Sequence, residues 1–215
     1  MFITLEGIEG SGKTTQIVHI QEFIQSRGYD CILTKEPGGT EIGEKIRGIL
    51  LDPENKDLVP LTELLLYMAD RAQHLKTKID PLLSIGKVVL CDRYFDATLV
   101  YQGFARGVEI NLIERLHNLL FEGLKPDVTF LLDLAPGIGL ARAWKQIKTG
   151  ARADLETRFE KETLLFHEKV RKGYLKLADA EPERFKIIDA SQDEIHVSSQ
   201  IIKTLSLYLN LTNNN

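Results

Sequence analysis

Cysteine is scarce in this sequence, and its scarcity argues against two classes of protein. Only Cys31 and Cys91 occur, each inside a short apolar run, and neither has a partner at the spacing of a zinc site or a redox motif. We interpret both as buried free thiols. The five histidines are scattered, without the spacing of metal ligands. A disulfide framework and a structural zinc centre are therefore not expected.

Excess positive charge and long apolar runs are also missing. Lys and Arg number 27 against 31 Asp and Glu, a formal net charge of −4, so bulk electrostatics give no support for nucleic-acid binding. No stretch is long and apolar enough to span a membrane. The chain enters a strand and a glycine-rich loop at once, which leaves no room for a signal peptide. We expect a cytoplasmic protein that binds neither nucleic acid nor membrane.

What is present is an alternation of strand and helix patterns along 215 residues, of which 43% are hydrophobic and 27% charged. Short apolar runs predict strands at 2–6, 31–35, 87–91, 128–133 and 184–188. Amphipathic stretches predict helices at 13–27, 41–51, 61–84, 96–104, 111–121, 136–148, 156–180 and 193–209. This order predicts a three-layer α/β fold, a five-stranded parallel sheet flanked by helices. We expect one domain over 1–211 and a frayed tail over 212–215.

Glycines dominate the turn between the first strand and the first helix. Residues 7–14 match the P-loop pattern and read Gly7-Ile8-Glu9-Gly10-Ser11-Gly12-Lys13-Thr14. The glycines let backbone N–H groups face an anion, and the start of the helix adds its positive end. In this pattern Lys13 reaches the β- and γ-phosphates, and the Thr14 hydroxyl ligates Mg²⁺. The alternative is a glycine-rich turn with an incidental lysine.

An acidic residue ends the third predicted strand. Asp92 follows an apolar run and precedes Arg93, the position of a carboxylate that holds Mg²⁺ directly or through water in P-loop enzymes. Arg93 is placed to bind a second phosphate group. The alternative for Asp92 is an ion pair at the strand end.

A rigid loop follows the second predicted strand and reads Glu36-Pro37-Gly38-Gly39-Thr40. Ligands bind at the carboxyl ends of parallel strands, so this loop is expected to face the same crevice as the P-loop. Arg47 lies two turns into the next helix, where it can point back at an anion. The alternative is a plain turn with a solvated arginine.

Tyr67 and Arg71 are four residues apart on a predicted helix and so lie on one face. An aromatic ring beside a guanidinium group can bind a nucleobase by stacking and edge hydrogen bonds. Core packing of Tyr67 with an exposed ion pair at Arg71 is the alternative.

These segments together resemble thymidylate kinases, a family of nucleoside-monophosphate kinases. The resemblance covers nearly the whole chain and rests on the P-loop, Glu36-Pro37-Gly38-Gly39-Thr40, Ala69-Asp70-Arg71-Ala72-Gln73-His74, Asp92-Arg93-Tyr94 and Tyr101-Gln102-Gly103. It implies ATP-dependent phosphorylation of dTMP to dTDP in dTTP synthesis, by direct in-line transfer from Mg-ATP. It also implies a homodimer.

The resemblance further implies roles for single residues. Glu9 would contact the 3′-hydroxyl of dTMP, Tyr67 would stack on thymine, and Arg71 would reach a base carbonyl. The implied ATP-binding residues are Gly7, Ile8, Glu9, Gly10, Ser11, Gly12, Lys13, Thr14, Thr15 and Arg142, the last against adenine. The implied dTMP-binding residues are Glu9, Glu36, Pro37, Arg47, Tyr67, Arg71, Arg93, Ala97, Thr98, Tyr101 and Gln102. Thr14 and Asp92 would hold Mg²⁺. The implied catalytic residues are Glu9, Lys13, Arg93 and Arg152.

Arg152 lies in a polar segment, about 145–158, that resembles a mobile lid. One family type carries a catalytic arginine directly after the acidic P-loop residue, where this chain has Gly10. The other type supplies basic residues from the lid, which this chain resembles. Arg152 is our choice for the residue that stabilises charge during transfer, with Arg158 and Lys148 as alternatives.

Two competing functions stay open from the sequence alone. The first is a related P-loop kinase whose acceptor is dUMP, dCMP or a nucleoside, which the base pocket around Tyr67 and Arg71 would decide. The second is a non-catalytic nucleotide switch, which needs neither a second phosphate-binding arginine set nor a basic lid.

Overall fold

A five-stranded parallel sheet forms the centre of the protein. The computed structural model describes residues 1–150 and 156–212. Its strands are Phe2–Glu6 (β1), Cys31–Lys35 (β2), Val88–Asp92 (β3), Val128–Asp133 (β4) and Phe185–Asp189 (β5). They lie in the order β2-β3-β1-β4-β5, and every neighbouring pair is parallel. The predicted α/β fold with a five-stranded parallel sheet is thereby confirmed.

Helices connect and cover the strands. They are Lys13–Ser26 (α1), Glu41–Leu51 (α2), Pro60–His74 (α3), Asp80–Ser84 (α4), Phe95–Thr98 (α5), Ile110–Phe121 (α6), Pro136–Lys148 (α7), Leu164–Ala180 (α8) and Glu194–Thr212 (α9). Two π-helical segments, Leu75–Ile79 and Leu99–Ala105, follow α3 and α5 without a break. None of the helices within residues 1–150 and 156–212 is long and apolar enough to cross a membrane.

Successive strand residues point to opposite faces of the sheet, and helices cover both faces. On β1, Ile3 and Leu5 belong to a large apolar cluster with α1 and α9, whereas Phe2 belongs to a second cluster with α3 and α6. Burial on both faces explains why the strands are almost continuously apolar.

The register of the sheet brings three loops to one edge. Leu5 and Lys35 are both paired with Asp92, so the P-loop after β1, the loop after β2 and the loop after β3 leave the sheet at the same level. Backbone hydrogen bonds from Arg93 to Leu5 and from Glu36 to Asp92, both 3.0 Å, hold the loops side by side. The crevice expected from the sequence therefore forms here.

Several predicted helix boundaries were wrong. The helix predicted over 156–180 begins only at Leu164, where Thr163 caps the backbone N–H of Phe166. Arg158 lies in the preceding turns, where it is buried and pairs with Glu63 of α3. The helix predicted over 61–84 is interrupted by a π-helical segment, and most of that predicted over 96–104 is π-helical. The last helix reaches Thr212, and 213–215 lie outside the described residues.

Candidate active site

The P-loop wraps around the side chain of its own lysine. Lys13 Nζ donates to the carbonyl oxygens of Gly7 (3.0 Å) and Ile8 (2.9 Å), which places the ammonium group under the loop. Burial, followed by the charge of Arg93, lowers the pKa of Lys13 to about 8. A buried cation with so low a pKa gains from any anion that enters the loop.

A carboxylate inside the P-loop is held ionised by its neighbours. Glu9 Oε1 accepts from Arg93 Nη2 at 3.0 Å and from the Tyr101 hydroxyl at 2.6 Å. His167 Nδ1 lies 3.1 Å from Glu9 Oε2. Burial alone would raise the pKa of Glu9, but Arg93, His167 and Lys13 together lower it below its ordinary value. Glu9 is therefore an acceptor fixed at the floor of the crevice.

Arg93 stands in a strained backbone conformation. Its φ is 65°, in the left-handed region that residues other than glycine seldom occupy, and such strain often accompanies function. The guanidinium group donates to the Gly7 carbonyl (2.8 Å) and the Tyr174 hydroxyl (3.2 Å). Tyr174 in turn donates to Glu6 Oε2 at 2.7 Å. The first turn after β3 thus aims Arg93 across the P-loop.

The loop after β2 is anchored by a buried ionic network. Glu36 accepts from Arg71 Nε at 2.9 Å and contacts His74 Nδ1 at 2.9 Å, and all three side chains are buried. Arg71 Nη2 also donates to the Thr98 hydroxyl at 2.9 Å. Asp70 Oδ1 accepts from the Gly38 backbone at 3.1 Å. The network fixes the guanidinium plane of Arg71 at one wall of the crevice.

These loops enclose a cavity of about 490 Å³. Its lining includes most of the residues predicted from the sequence: Glu9, Gly10, Ser11, Gly12, Lys13, Thr14, Thr15, Glu36, Pro37, Arg47, Tyr67, Arg71, Asp92, Arg93, Ala97, Thr98, Tyr101 and Gln102. Gly7 and Ile8 lie beneath it, where their carbonyl oxygens receive Lys13. The structure thus brings the P-loop lysine, Arg47, Arg93 and the ring of Tyr67 into one space.

Arg47 faces this cavity and is paired with a carboxylate of the protein itself. Its Nε and Nη2 donate to the two oxygens of Glu156 at 2.9 and 2.7 Å, and Nη1 donates to the Pro37 carbonyl at 2.9 Å. Burial alone would lower the pKa of Arg47, but the Glu156 carboxylate raises it above its ordinary value. A guanidinium group that binds a carboxylate through two parallel hydrogen bonds can bind a phosphate group in the same way.

Thr14 and Asp92 face the same space with oxygens suited to a hard cation. Asp92 Oδ1 is buried and has no hydrogen-bond partner among the described residues, and the Thr14 side chain is exposed to the cavity. Within residues 1–150 and 156–212 no group of three or more acidic, His or Cys side chains is arranged to hold a metal ion. The donor set fits Mg²⁺, which is usually held by one or two carboxylates plus substrate phosphates.

A second cavity of about 350 Å³ continues from the P-loop on its other side. Arg142 of α7 forms one wall and donates to the Ala190 carbonyl at 3.0 Å. Gln192 and Val197 lie on the facing segment after β5. A guanidinium plane held flat against one side of a cleft can stack on a planar heterocycle.

The basic residues considered for the lid have different locations. Arg152 lies outside the described residues. Arg158 is buried, pairs with Glu63 and donates to the Leu50 carbonyl, so its guanidinium group is engaged inside the fold. Lys148 ends α7 with an exposed side chain.

Four polar residues of the site were missed by sequence reasoning: Glu63, Glu156, His167 and Tyr174. A charge inside the apolar start of α3 was the available signal for Glu63, because a buried charge requires partners. The other three lie far along the chain from the loops they contact, and no local pattern marks them.

Glycine is required where the P-loop meets α7. Gly10 has a φ of 69°, and a Cβ on it would lie 2.0 Å from the carbonyl oxygen of Gly139. A Cβ on Gly139 would lie 2.4 Å from the Glu9 carbonyl oxygen. Backbone therefore packs on backbone at this point, and no side chain fits.

Comparison with known proteins agrees with this geometry. The family model described as thymidylate kinase matches residues 5–201. The thymidylate kinase of Desulfosudis oleivorans is 52% identical over 95% of this chain and 96% of its own length. That of Geotalea uraniireducens is 53% identical over 89% of each chain. The crystal structure of the thymidylate kinase from Ehrlichia chaffeensis superposes with a TM-score of 0.75 at 34% identity, covering 95% of this chain and 98% of that one.

Proposed function

This chain belongs to the thymidylate kinase family, and we propose that its two cavities divide the substrates of the reaction that it catalyses, ATP-dependent phosphorylation of dTMP to dTDP. The larger cavity binds dTMP together with the phosphates of ATP. The smaller one binds adenine. The observation that carries this assignment is the meeting of Lys13, Arg93 and Tyr67 in one enclosed space beside the P-loop.

The chemical task is to bring two polyanions together. A phosphate oxygen of dTMP is already anionic, so it needs no strong general base to attack the γ-phosphorus. Arg93 and Arg47 bind the acceptor phosphate, and Lys13 with the P-loop amides binds the donor phosphates. These cations offset the repulsion and stabilise the charge that spreads over the transferring group. In-line positioning supplies most of the remaining acceleration.

The sugar and the base occupy the rest of the large cavity. The ionised Glu9 accepts a hydrogen bond from the 3′-hydroxyl of the deoxyribose. Tyr101, which donates to Glu9, lies behind the sugar, where a 2′-hydroxyl would clash with it. Tyr67 stacks on thymine. Arg71, fixed by Glu36, donates to a base carbonyl, while Pro37, Ala97, Thr98 and Gln102 complete the pocket.

Mg²⁺ accompanies ATP in this proposal. Thr14 and Asp92 would hold it, and its charge would offset the negative charge of the donor phosphates. Asp92 Oδ1, which has no hydrogen-bond partner in the described part of the chain, supports this role. Arg152 remains our proposed charge-stabilising residue of a lid over about 145–158, within a single kinase domain spanning 1–211.

The assembly we propose is a homodimer in the cytoplasm. Leu61 and Leu65 on α3 and Leu119 on α6 are exposed apolar side chains, and the two helices are neighbours. Two such faces can bury each other across a two-fold axis. Sedimentation at monomer mass would reject the dimer. Buried free thiols at Cys31 and Cys91 agree with a reducing compartment, which cell fractionation tests.

A pair of variants tests the division of the cavities. Tyr67→Ala should raise the KM for dTMP by roughly 5- to 100-fold, the value of one lost base stack, and leave the KM for ATP within about twofold. Arg142→Ala should raise the KM for ATP and leave the KM for dTMP within about twofold. Steady-state kinetics with each substrate varied in turn provide the measurement. If either variant moves both constants equally, the assignment of that cavity fails.

A further inference from the structure

A carboxylate that does not itself line the cavity lies behind the predicted base pocket. Glu63 of α3 is completely buried. Its Oε1 accepts from the side-chain amide nitrogen of Gln102 at 2.7 Å and, more weakly, from Arg106 Nε at 3.4 Å. Its Oε2 accepts from Arg158 Nη2. The mechanism above gives Glu63 no part.

The two arginines determine what Glu63 can offer to Gln102. Both carboxylate oxygens of Glu63 accept hydrogen bonds from guanidinium groups, so they act as acceptors toward Gln102 as well. The side-chain amide of Gln102 must therefore turn its NH₂ group toward Glu63. The assignment of the amide oxygen and nitrogen follows from this partner and not from the shape of the side chain.

The opposite edge of the same amide faces the large cavity. Gln102 lines the large cavity together with Tyr67, Arg71 and Thr98. Because the nitrogen is turned toward Glu63, the carbonyl oxygen on the other edge of the amide is available to a ligand, and no donor among residues 1–150 and 156–209 binds it.

We infer that Glu63 is a positioning residue for base specificity: by fixing the Gln102 amide it makes the base pocket present a hydrogen-bond acceptor. This inference rests on the proposed function, in which Gln102 faces the pyrimidine of dTMP. Thymine and uracil carry an N–H donor at ring position N3, whereas the N3 of cytosine is an acceptor. An acceptor at Gln102 pairs with the first two and opposes the third, and an unpaired buried group makes the discrimination large.

Glu63→Gln tests this inference because it changes the direction of one hydrogen bond. Arg158 makes the shorter contact with Glu63 and still requires an acceptor, so the new amide turns its oxygen to Arg158 and its NH₂ group to Gln102, with loss of the weaker bond from Arg106. Gln102 must then reverse and present NH₂ to the base. We expect the ratio of kcat/KM for dTMP to that for dCMP to fall by about 10- to 100-fold. dTMP stays preferred, because Arg71 still favours a carbonyl oxygen.

The ratio of two specificity constants measured on one preparation is independent of the fraction of folded enzyme, so reduced stability does not mimic the effect. Glu63→Asp is the matched control, because it keeps an acceptor-only group and should leave the ratio within about twofold. An unchanged ratio in Glu63→Gln, or the same fall in both variants, would overturn the positioning role.

Gln102→Ala separates this inference from the proposed function. If the KM for dTMP rises in Gln102→Ala and the dTMP-to-dCMP ratio of kcat/KM is unchanged in Glu63→Gln, only the role of Glu63 is refuted. An unchanged KM for dTMP in Gln102→Ala means that Gln102 does not face the base, and the assignment of the pocket fails first.

A measurement on the unmodified enzyme covers the case in which Glu63→Gln does not fold. The side-chain NH₂ signals of Gln102, assigned by their loss in Gln102→Ala, should shift downfield and exchange slowly with solvent, as expected for a buried amide bonded to a carboxylate. Rapidly exchanging signals at ordinary positions would overturn the inference.

Discussion

Glu156 occupies the guanidinium fork that we assign to the dTMP phosphate, so the substrate must displace it. Both carboxylate oxygens bond Arg47, and Arg47 has no other partner in the cavity besides the Pro37 carbonyl among the described residues. We therefore predict that Glu156→Gln strengthens dTMP binding. The amide keeps the size of the side chain but removes the charge that competes with the phosphate.

The size of the effect follows from the exposure of the pair. Exposed ion pairs contribute about 0.2–1 kcal/mol. This one is bidentate, and its side chains are 17% and 35% exposed, so the upper end, about 1 kcal/mol, applies. With about 1.4 kcal/mol for each factor of ten, the dissociation constant of dTMP should fall by roughly fivefold.

Isothermal titration of the two enzymes with dTMP measures this change directly. Thymidine is the ligand control, because without a phosphate its affinity should not move. Glu54→Gln is the protein control, since Glu54 is exposed and pairs only with Lys56 among the described residues, and it makes the same change in net charge. An equal or weaker affinity for dTMP in Glu156→Gln would refute the competition, as would an equal gain for thymidine.

Two further predictions concern the phosphates and the metal. Because burial lowers the pKa of Lys13 from 10.5 to about 8, the free enzyme loses this positive charge as the pH rises through 8, and ATP must restore it. The KM for ATP should therefore rise about tenfold from pH 7.5 to pH 9, whereas Lys13→Arg, always charged, should show a flat profile; a flat profile in the unmodified enzyme would refute the argument. Asp92→Asn should raise the Mg²⁺ concentration for half-maximal activity by roughly 10- to 100-fold, while Asp133→Asn, at the end of β4 and paired with Arg171, should not; an unchanged Mg²⁺ requirement would remove Asp92 from the metal site.

The parts of the site that could be predicted from the sequence are those encoded locally. The P-loop glycines, Lys13 and the acidic end of β3 occur at fixed spacings beside apolar runs, and the parallel order of the strands brings their loops together. Tyr67 and Arg71 follow from helix periodicity in the same way. Each needs only the local backbone to be placed correctly.

The contacts that escaped prediction join distant segments. Arg47 and Glu156 are 109 residues apart, and Glu63 and Arg158 are 95 apart. The polar stretch around Arg158 appears helical from its residues, but burial of that arginine against α3 stabilises a turn instead. Tertiary contacts overrule local preference here. The π-helical segment at Leu99–Ala105 likewise has no distinct sequence pattern, although it positions Tyr101 and Gln102.

The contact between Gly10 and Gly139 limits how this enzyme can change. Thymidylate kinases with an arginine after the acidic P-loop residue place a cation at the very position where this chain has no room for a methyl group. Installing that arginine requires α7 to move outward, and α7 also carries Arg142, which lines the smaller cavity. Evolution or engineering between the two types must therefore remodel a helix together with a loop. A single exchange in the loop would distort the cavity that we assign to adenine before the new cation could act.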